Sequence, residues 1–224
     1  MTKDKKRGLI ERLNQGPVIC AEGFLFEIEK RGYMSSGEFV PMVSLENPEA
    51  LLNLHRDFQH AGSDVVQAFT YNGHREKMRV IGKEELLEPL NRAALQIAKK
   101  VAVSPMGDEQ NLMAGNISNS NIWSQDNKKS QLEVEKMFRE MVGWAVDEKA
   151  DILIGETFYY AEEAYTAAAE GYRVGKFDLT ATLDARRSLI ETRAAVIDAR
   201  LALQTYTLRL RALIGAAPFE GEIQ

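Results

Sequence analysis

Four short apolar runs, separated by amphipathic helical patterns, constrain this chain more than any other feature. The runs are "PVICAE" (Pro17–Glu22), "DVVQAFTY" (Asp64–Tyr71), "NLMAGNIS" (Asn111–Ser118) and "DILIGETF" (Asp151–Phe158). Each is apolar on both faces instead of alternating, which suits parallel strands covered on both sides. Between them lie "NPEALLNLHRDFQHAG", "EELLEPLNRAALQIAKKVA" and "QLEVEKMFREMVGWAVDEKA". Asn47 is placed to cap the first of these, Pro48 occupies its first helical position, and Gly62 follows where a left-handed residue is needed. Repeated strand–helix units with right-handed crossovers predict a parallel α/β sheet, open or closed as a barrel.

Polar residues gather at the ends of these runs: Glu22, Thr70 with Tyr71, Asn116 with Ser118, and Glu156 with Thr157. Parallel α/β folds bring the C-terminal strand ends to one rim, where ligands bind. Two carboxylates at that rim can hold a cation or an ammonium group; plain surface solvation is the alternative. At the first exit, "CAEGFLFEIEKRGY", Gly23 permits close backbone approach. The amides of Gly23 and Phe24 are candidate donors to a carboxylate, with a simple tight turn as the other reading.

The segments "PVICAEGFLFEIEKRGY", "NPEALLNLHRDFQHAGSDVVQAFTYNGHREKM", "LMAGNIS" and "ADILIGETF" together resemble the homocysteine S-methyltransferases, especially those of the betaine-dependent type. The resemblance runs in order from about residue 5 to residue 165. It implies parallel β/α units forming roughly half of an eight-stranded β/α barrel, here followed by a long C-terminal α-helix. It also implies a small-molecule ligand of the homocysteine class. In the family, zinc held by three cysteine thiolates activates the substrate sulfur, which then takes a methyl group from betaine or a related donor. The cysteine motifs that supply those ligands are missing here, and the lone Cys20 reads as a small core residue. The expectation is therefore no catalytic residue, no metal ligand and no retained cofactor. An active methyltransferase is not expected from the chain alone; a residual amino-acid-binding module is the alternative.

The resemblance further implies that an acidic residue leaving strand one and a glutamate leaving strand four hold the substrate ammonium, while glycine-loop amides take its carboxylate. Glu156 in "LIGETF" matches the second of these. Alignment on "FLFEIEKRGY" puts Ala21 at the usual aspartate position, so Glu22 is offset by one residue, which can reverse side-chain direction along a strand. Tyr71 and Asn72 fall in the second-strand loop that flanks the substrate. The expected substrate-binding set is Glu22, Gly23, Phe24, Tyr71, Asn72 and Glu156. His74 reads as a solvated loop residue. His55 and His60 are five apart on one helix and do not share a face.

After Tyr165 the pattern changes. All eight methionines and all three histidines precede this point, and Lys176 is the only later lysine. A barrel would place a fifth strand near residue 175. Instead Leu179, Leu183, Ile190, Ile197, Leu201, Leu208 and Ile214 recur at helical spacing. Gly175 and Asp178 stand before this run; Gly215 and Pro218 close it. A helix of about 35 residues would be about 52 Å long. "AAEGYRVGKFDLTATLDARRSLIETRAAVIDARLALQ" and "RALIG" resemble the C-terminal end of outer-membrane efflux factors, whose coiled-coil arm exists only as a trimer; an ordinary amphipathic helix is the other reading. The resemblance adds a second functional alternative, a fragment of an outer-membrane efflux (transport) protein. The expected organisation is residues 1–165 as a partial barrel, 166–216 as the helical segment and 217–224 as a tail. A join between two incomplete reading frames near 160–171, or a genuine domain arrangement, accounts for the change.

A net charge of −5 gives no basis for nucleic-acid partners. No run approaches the roughly 18 apolar residues of a membrane span, and the start has no apolar signal region, so the cytoplasm is expected. Half a barrel would leave parallel strand edges unpaired, which favours self-association.

Overall fold

The computed structural model describes residues 6–34, 40–104, 110–175 and 179–214. In chain order, α1 (Leu9–Leu13), α2 (Phe24–Lys30), α3 (Val43–Glu46) and α4 (Pro48–His60) precede β1 (Val65–Gln67). Then come α5 (Arg75–Val80), a 3-10 turn (Glu84–Leu86), α6 (Leu87–Ala102), β2 (Leu112–Ser118), α7 (Lys128–Asp147), β3 (Ile152–Glu156), α8 (Ala161–Arg173) and α9 (Leu179–Leu213). The strands form a parallel sheet in the order β1-β2-β3. Val65 pairs with Leu112, Asn116 with Ile154 and Ser118 with Glu156.

The first apolar run is the exception. It meets β1 through a single bridge, Cys20 to Val65, and forms no regular strand. The Ile19 carbonyl accepts the Asp64 and Val65 N–H groups, whereas side chains take the run's own donors: Ile19 N–H donates to Asp64 Oδ2 at 2.8 Å, and Ala21 N–H donates to Ser63 Oγ at 3.0 Å. Asp151 acts similarly before β3, where its Oδ2 accepts the Met113 N–H at 2.7 Å.

Period-two alternation divides the sheet into two faces. Val66, Ala68, Met113, Ile117 and Leu153 face outward into the main core, against Leu95 and Ala98 of α6 and Phe138, Met141 and Ala145 of α7. Val65, Leu112 and Ala114 point the other way, with Ile152, Ile154, Cys20 and Leu9 beside them. Ile152 and Ile154 are only half-buried, so the inner face is partly open. A third group packs Phe24 and Ile28 of α2 with Leu51 and Leu54 of α4 and with Phe69.

Helix α4 begins at Pro48 as its sequence predicts, although Asn47 makes no side-chain cap bond. Gly62 follows it at φ 102°, a value that glycine adopts without strain. Helix α8 runs without a break across position 165. Two buried carboxylates fasten it: Glu163 Oε1 accepts the Ser120 N–H at 2.6 Å, and Glu170 pairs with Arg139 of α7 at 3.1 Å.

Helix α9 has 35 residues, about 52 Å. Arg193 pairs with Glu162 of α8 at 2.9 Å, whereas Leu201, Leu203, Tyr206, Leu208, Leu210 and Leu213 are all exposed. The expected cap Asp178 and the stop residues Gly215 and Pro218 lie outside the described residues. Among the described residues no helix is long and apolar enough to cross a membrane.

Candidate functional site

A cavity of about 290 Å³ opens where the first apolar run, β1 and β3 end. Glu22, Gly23, Phe24, Tyr71 and Glu156 line it, so five of the six expected residues come together. Gln67, Phe69 and Thr157 contribute further wall. The volume is near the lower end for ligand pockets and suits a small amino acid.

The local folding of each element explains its contribution. Gly23 adopts φ 85° at the start of α2, turning the chain sharply out of the first run. Phe24, the first residue of that helix, buries its ring against Phe58 at 5.1 Å and Phe69 at 5.6 Å. Glu22 stays exposed at the mouth, and Glu156 is half-buried at the end of β3. Thr157 follows at φ 58°, a costly conformation for a β-branched residue, and its Oγ1 accepts from Asn119 Nδ2 at 3.2 Å.

Asn72 is placed differently from the other expected residues. It lies outside the cavity lining, buried at φ 57°, and its N–H donates to Ser118 Oγ at 3.1 Å. Its visible role is to turn the loop after β1 and pin it to the end of β2. His74 also departs from expectation. It is buried, not solvated, and its Nδ1 caps α5 by accepting the Lys77 N–H at 3.4 Å.

Glu156 Oε1 accepts from Gln67 Nε2 at 3.1 Å and from Asn116 Nδ2. Burial pushes its carboxyl above the ordinary range, the Asn116 bond opposes that, Glu22 adds to the rise and the Gln67 bond again opposes it. Cys20 is half-buried beside this group instead of sealed in a core, and its Sγ donates to Gln67 Oε1 at 3.5 Å. Burial pushes the thiol up to about 11, with further contributions from Glu22 and Glu156. The two carboxylates in the cavity wall, Glu22 and Glu156, favour a cation there over a thiolate.

Sequence patterning did not single out Gln67, although it stands as a polar side chain inside the apolar run "DVVQAFTY". Its partner Glu156 lies 89 positions later.

The residues do not fit a zinc site. Among the described residues no three His, Cys, Asp or Glu side chains cluster to hold a metal, and the chain has one cysteine. Structural and catalytic zinc both need at least three protein ligands.

A sequence profile of the homocysteine S-methyltransferases matches residues 19–204, passing position 165 and entering α9. The chain is 39% identical over 170 residues to betaine–homocysteine S-methyltransferase 1 of Sus scrofa, covering 74% of this chain and 59% of that protein. It is also 39% identical over 170 residues to the Mus musculus protein of the same name, covering 40% of it. An S-methylmethionine–homocysteine S-methyltransferase of Pongo abelii is 36% identical over 163 residues, covering 72% of this chain and 42% of that protein. The chain thus spans about 40–59% of the length of these relatives. Among solved structures, the metallated homocysteine methyltransferase MmuM of Escherichia coli superposes with a TM-score of 0.62 at 21% identity, covering 74% of this chain and 62% of that one. That likeness supports the partial-barrel fold. The chain belongs to the homocysteine S-methyltransferase family.

Proposed function

We propose that this chain is the amino-acid-binding part of a homocysteine methyltransferase barrel, able to hold homocysteine but not to methylate it alone. The observation that carries the reading is the convergence of Glu22 and Glu156 on one small cavity beside the turn at Gly23. Two carboxylates suit the substrate ammonium. The Gly23–Phe24 amides suit its carboxylate, and Tyr71 with Phe69 gives apolar wall for the methylene stem.

The relatives' names place a methyl group on homocysteine sulfur, a reaction that first requires the thiol to lose its proton. A free thiol has a pKa of about 8.5 and is mostly protonated at neutral pH. Burial, with smaller contributions from Glu22 and Glu156, pushes the chain's own thiol up to about 11, and the two carboxylates oppose ionisation of a substrate thiol in the cavity as well. No cluster of metal ligands among the described residues offsets this. Methyl transfer from betaine or another onium donor therefore needs protein groups beyond this set.

Segment 166–216 is read with the partial barrel as an appended helical arm. Its efflux-factor resemblance describes a helix that needs partners, and the exposed leucines of α9 support self-association.

Isothermal titration with L-homocysteine tests the site. Glu156→Gln is expected to weaken binding about tenfold or more, as loss of a charged hydrogen bond does. Equal affinity of wild type and variant would reject the site. Robust methyl transfer by the chain alone would reject the second half of the reading.

A further inference from the structure

Glu156 is held in an unusual way for a half-buried carboxylate. Both amides that reach it, Gln67 Nε2 and Asn116 Nδ2, donate to the same oxygen, Oε1. Each comes from a different strand, and both side chains are almost fully buried, Gln67 at 4% exposure and Asn116 at 2%. The Gln67 amide is itself oriented, because its carbonyl end accepts from the Cys20 thiol. Thr70 Oγ1 donates to the Asn116 backbone carbonyl at 2.8 Å, locking β2 to the loop after β1. Asn116 does not line the cavity. Its own Oδ1 is buried without a partner, which is costly for the fold. Turning the amide over would set that oxygen against the Glu156 carboxylate, so the orientation is dictated by Glu156.

We infer that Asn116 and Gln67 are positioning residues for an amino-acid ammonium site: by holding Oε1 of Glu156 they leave Oε2 for the cavity and favour the carboxylate form. This rests on the ammonium-binding reading given above. The groups acting on Glu156 are burial and the Glu22 charge, which oppose ionisation, and the two amides, which favour it. The neighbouring Cys20 thiol stays protonated at neutral pH. The amides thus offset part of the cost that burial imposes on the Glu156 carboxylate.

Two measurements test this on the full chain. Carbon-13 NMR titration of the Glu156 carboxyl in ligand-free protein reads its ionisation directly. Asn116→Ala and Gln67→Leu are each expected to move the midpoint upward by about one pH unit, and Asn116→Asp, which replaces a donor by a charge, by more. Calorimetric titration with L-homocysteine between pH 4.5 and 7.5 should show the acid limb of affinity moving by the same amount. A merely structural role would lower affinity at every pH and leave the Glu156 midpoint where it was, and that outcome overturns the inference. If the midpoint moves as expected but Glu156→Gln binds L-homocysteine as well as wild type, the positioning holds and the ammonium reading fails.

Discussion

The rings of Phe24 and His55 meet edge to face, with centroids 5.0 Å apart and planes at 61°. Phe24 forms cavity wall on one side and touches His55 of α4 on the other, so a polar ring supports the site from within an apolar cluster. His55 Nε2 has no hydrogen-bond partner among the described residues, and burial lowers the imidazole pKa to about 3. His55→Leu removes that unsatisfied atom at similar volume. It should leave stability at pH 7.5 unchanged or raise it by about 1 kcal/mol, read from urea unfolding. A large loss would show that His55 has a polar role.

His74 sets a pH dependence of definite sign. Burial, then the Lys77 charge, lowers its pKa from 6.5 to about 4. Between those values the unfolded chain binds more protons than the folded one, so stability is complete above about 6.5 and falls as pH drops towards 4. At about 1.4 kcal/mol per pH unit the loss is on the order of 3 kcal/mol, and protonation also removes the Nδ1 acceptor that caps α5. Glu156 contributes with the opposite sign: its raised value gives stability that is present at low pH and lost as pH rises through it. Urea midpoints from pH 4.5 to 7.5 should fall on acidification, with a shallower fall in His74→Asn. A flat profile would contradict the buried neutral imidazole.

Gly115 on β2 lets α7 approach the sheet. A Cβ there would lie 2.8 Å from Ala145 Cβ and 2.9 Å from Leu153 Cδ2. Gly115→Ala should cost about 1–3 kcal/mol, the usual penalty for overpacking a dense core. Thermal unfolding measures it, and an unchanged midpoint would show that α7 yields freely.

Self-association is expected from the exposed leucines of α9. Leu201, Leu203, Leu208, Leu210, Leu213 and Ile214 of the α9 region are all more than half exposed. Large apolar side chains left in water along a helix are a common mark of a protein–protein contact surface. Light scattering coupled to size exclusion should give a mass above 25.1 kDa, and Leu203→Glu with Leu210→Glu should reduce it. A sharp wild-type monomer would refute the expectation.

Much of this architecture was legible without coordinates. Three of the four apolar runs become parallel strands, the helices fall between them, and Glu22, Gly23, Phe24, Tyr71 and Glu156 share one cavity. Periodicity and turn chemistry are local, so they survive whatever the rest of the chain does. The first run shows the limit. Its apolar composition reads as a strand, but Ser63 and Asp64, more than forty positions away, take its backbone donors.

The sequence by itself determined that three of the four apolar runs are parallel strands with helices between them, and that the chain has a single cysteine. Only the tertiary structure decided that His74 is buried, that Asn72 turns a loop instead of lining the cavity, and that Gln67 and Asn116 hold the same oxygen of Glu156. The reason is physical. Local patterns depend on neighbours along the chain, whereas burial and hydrogen-bond partnership depend on groups that meet only after folding.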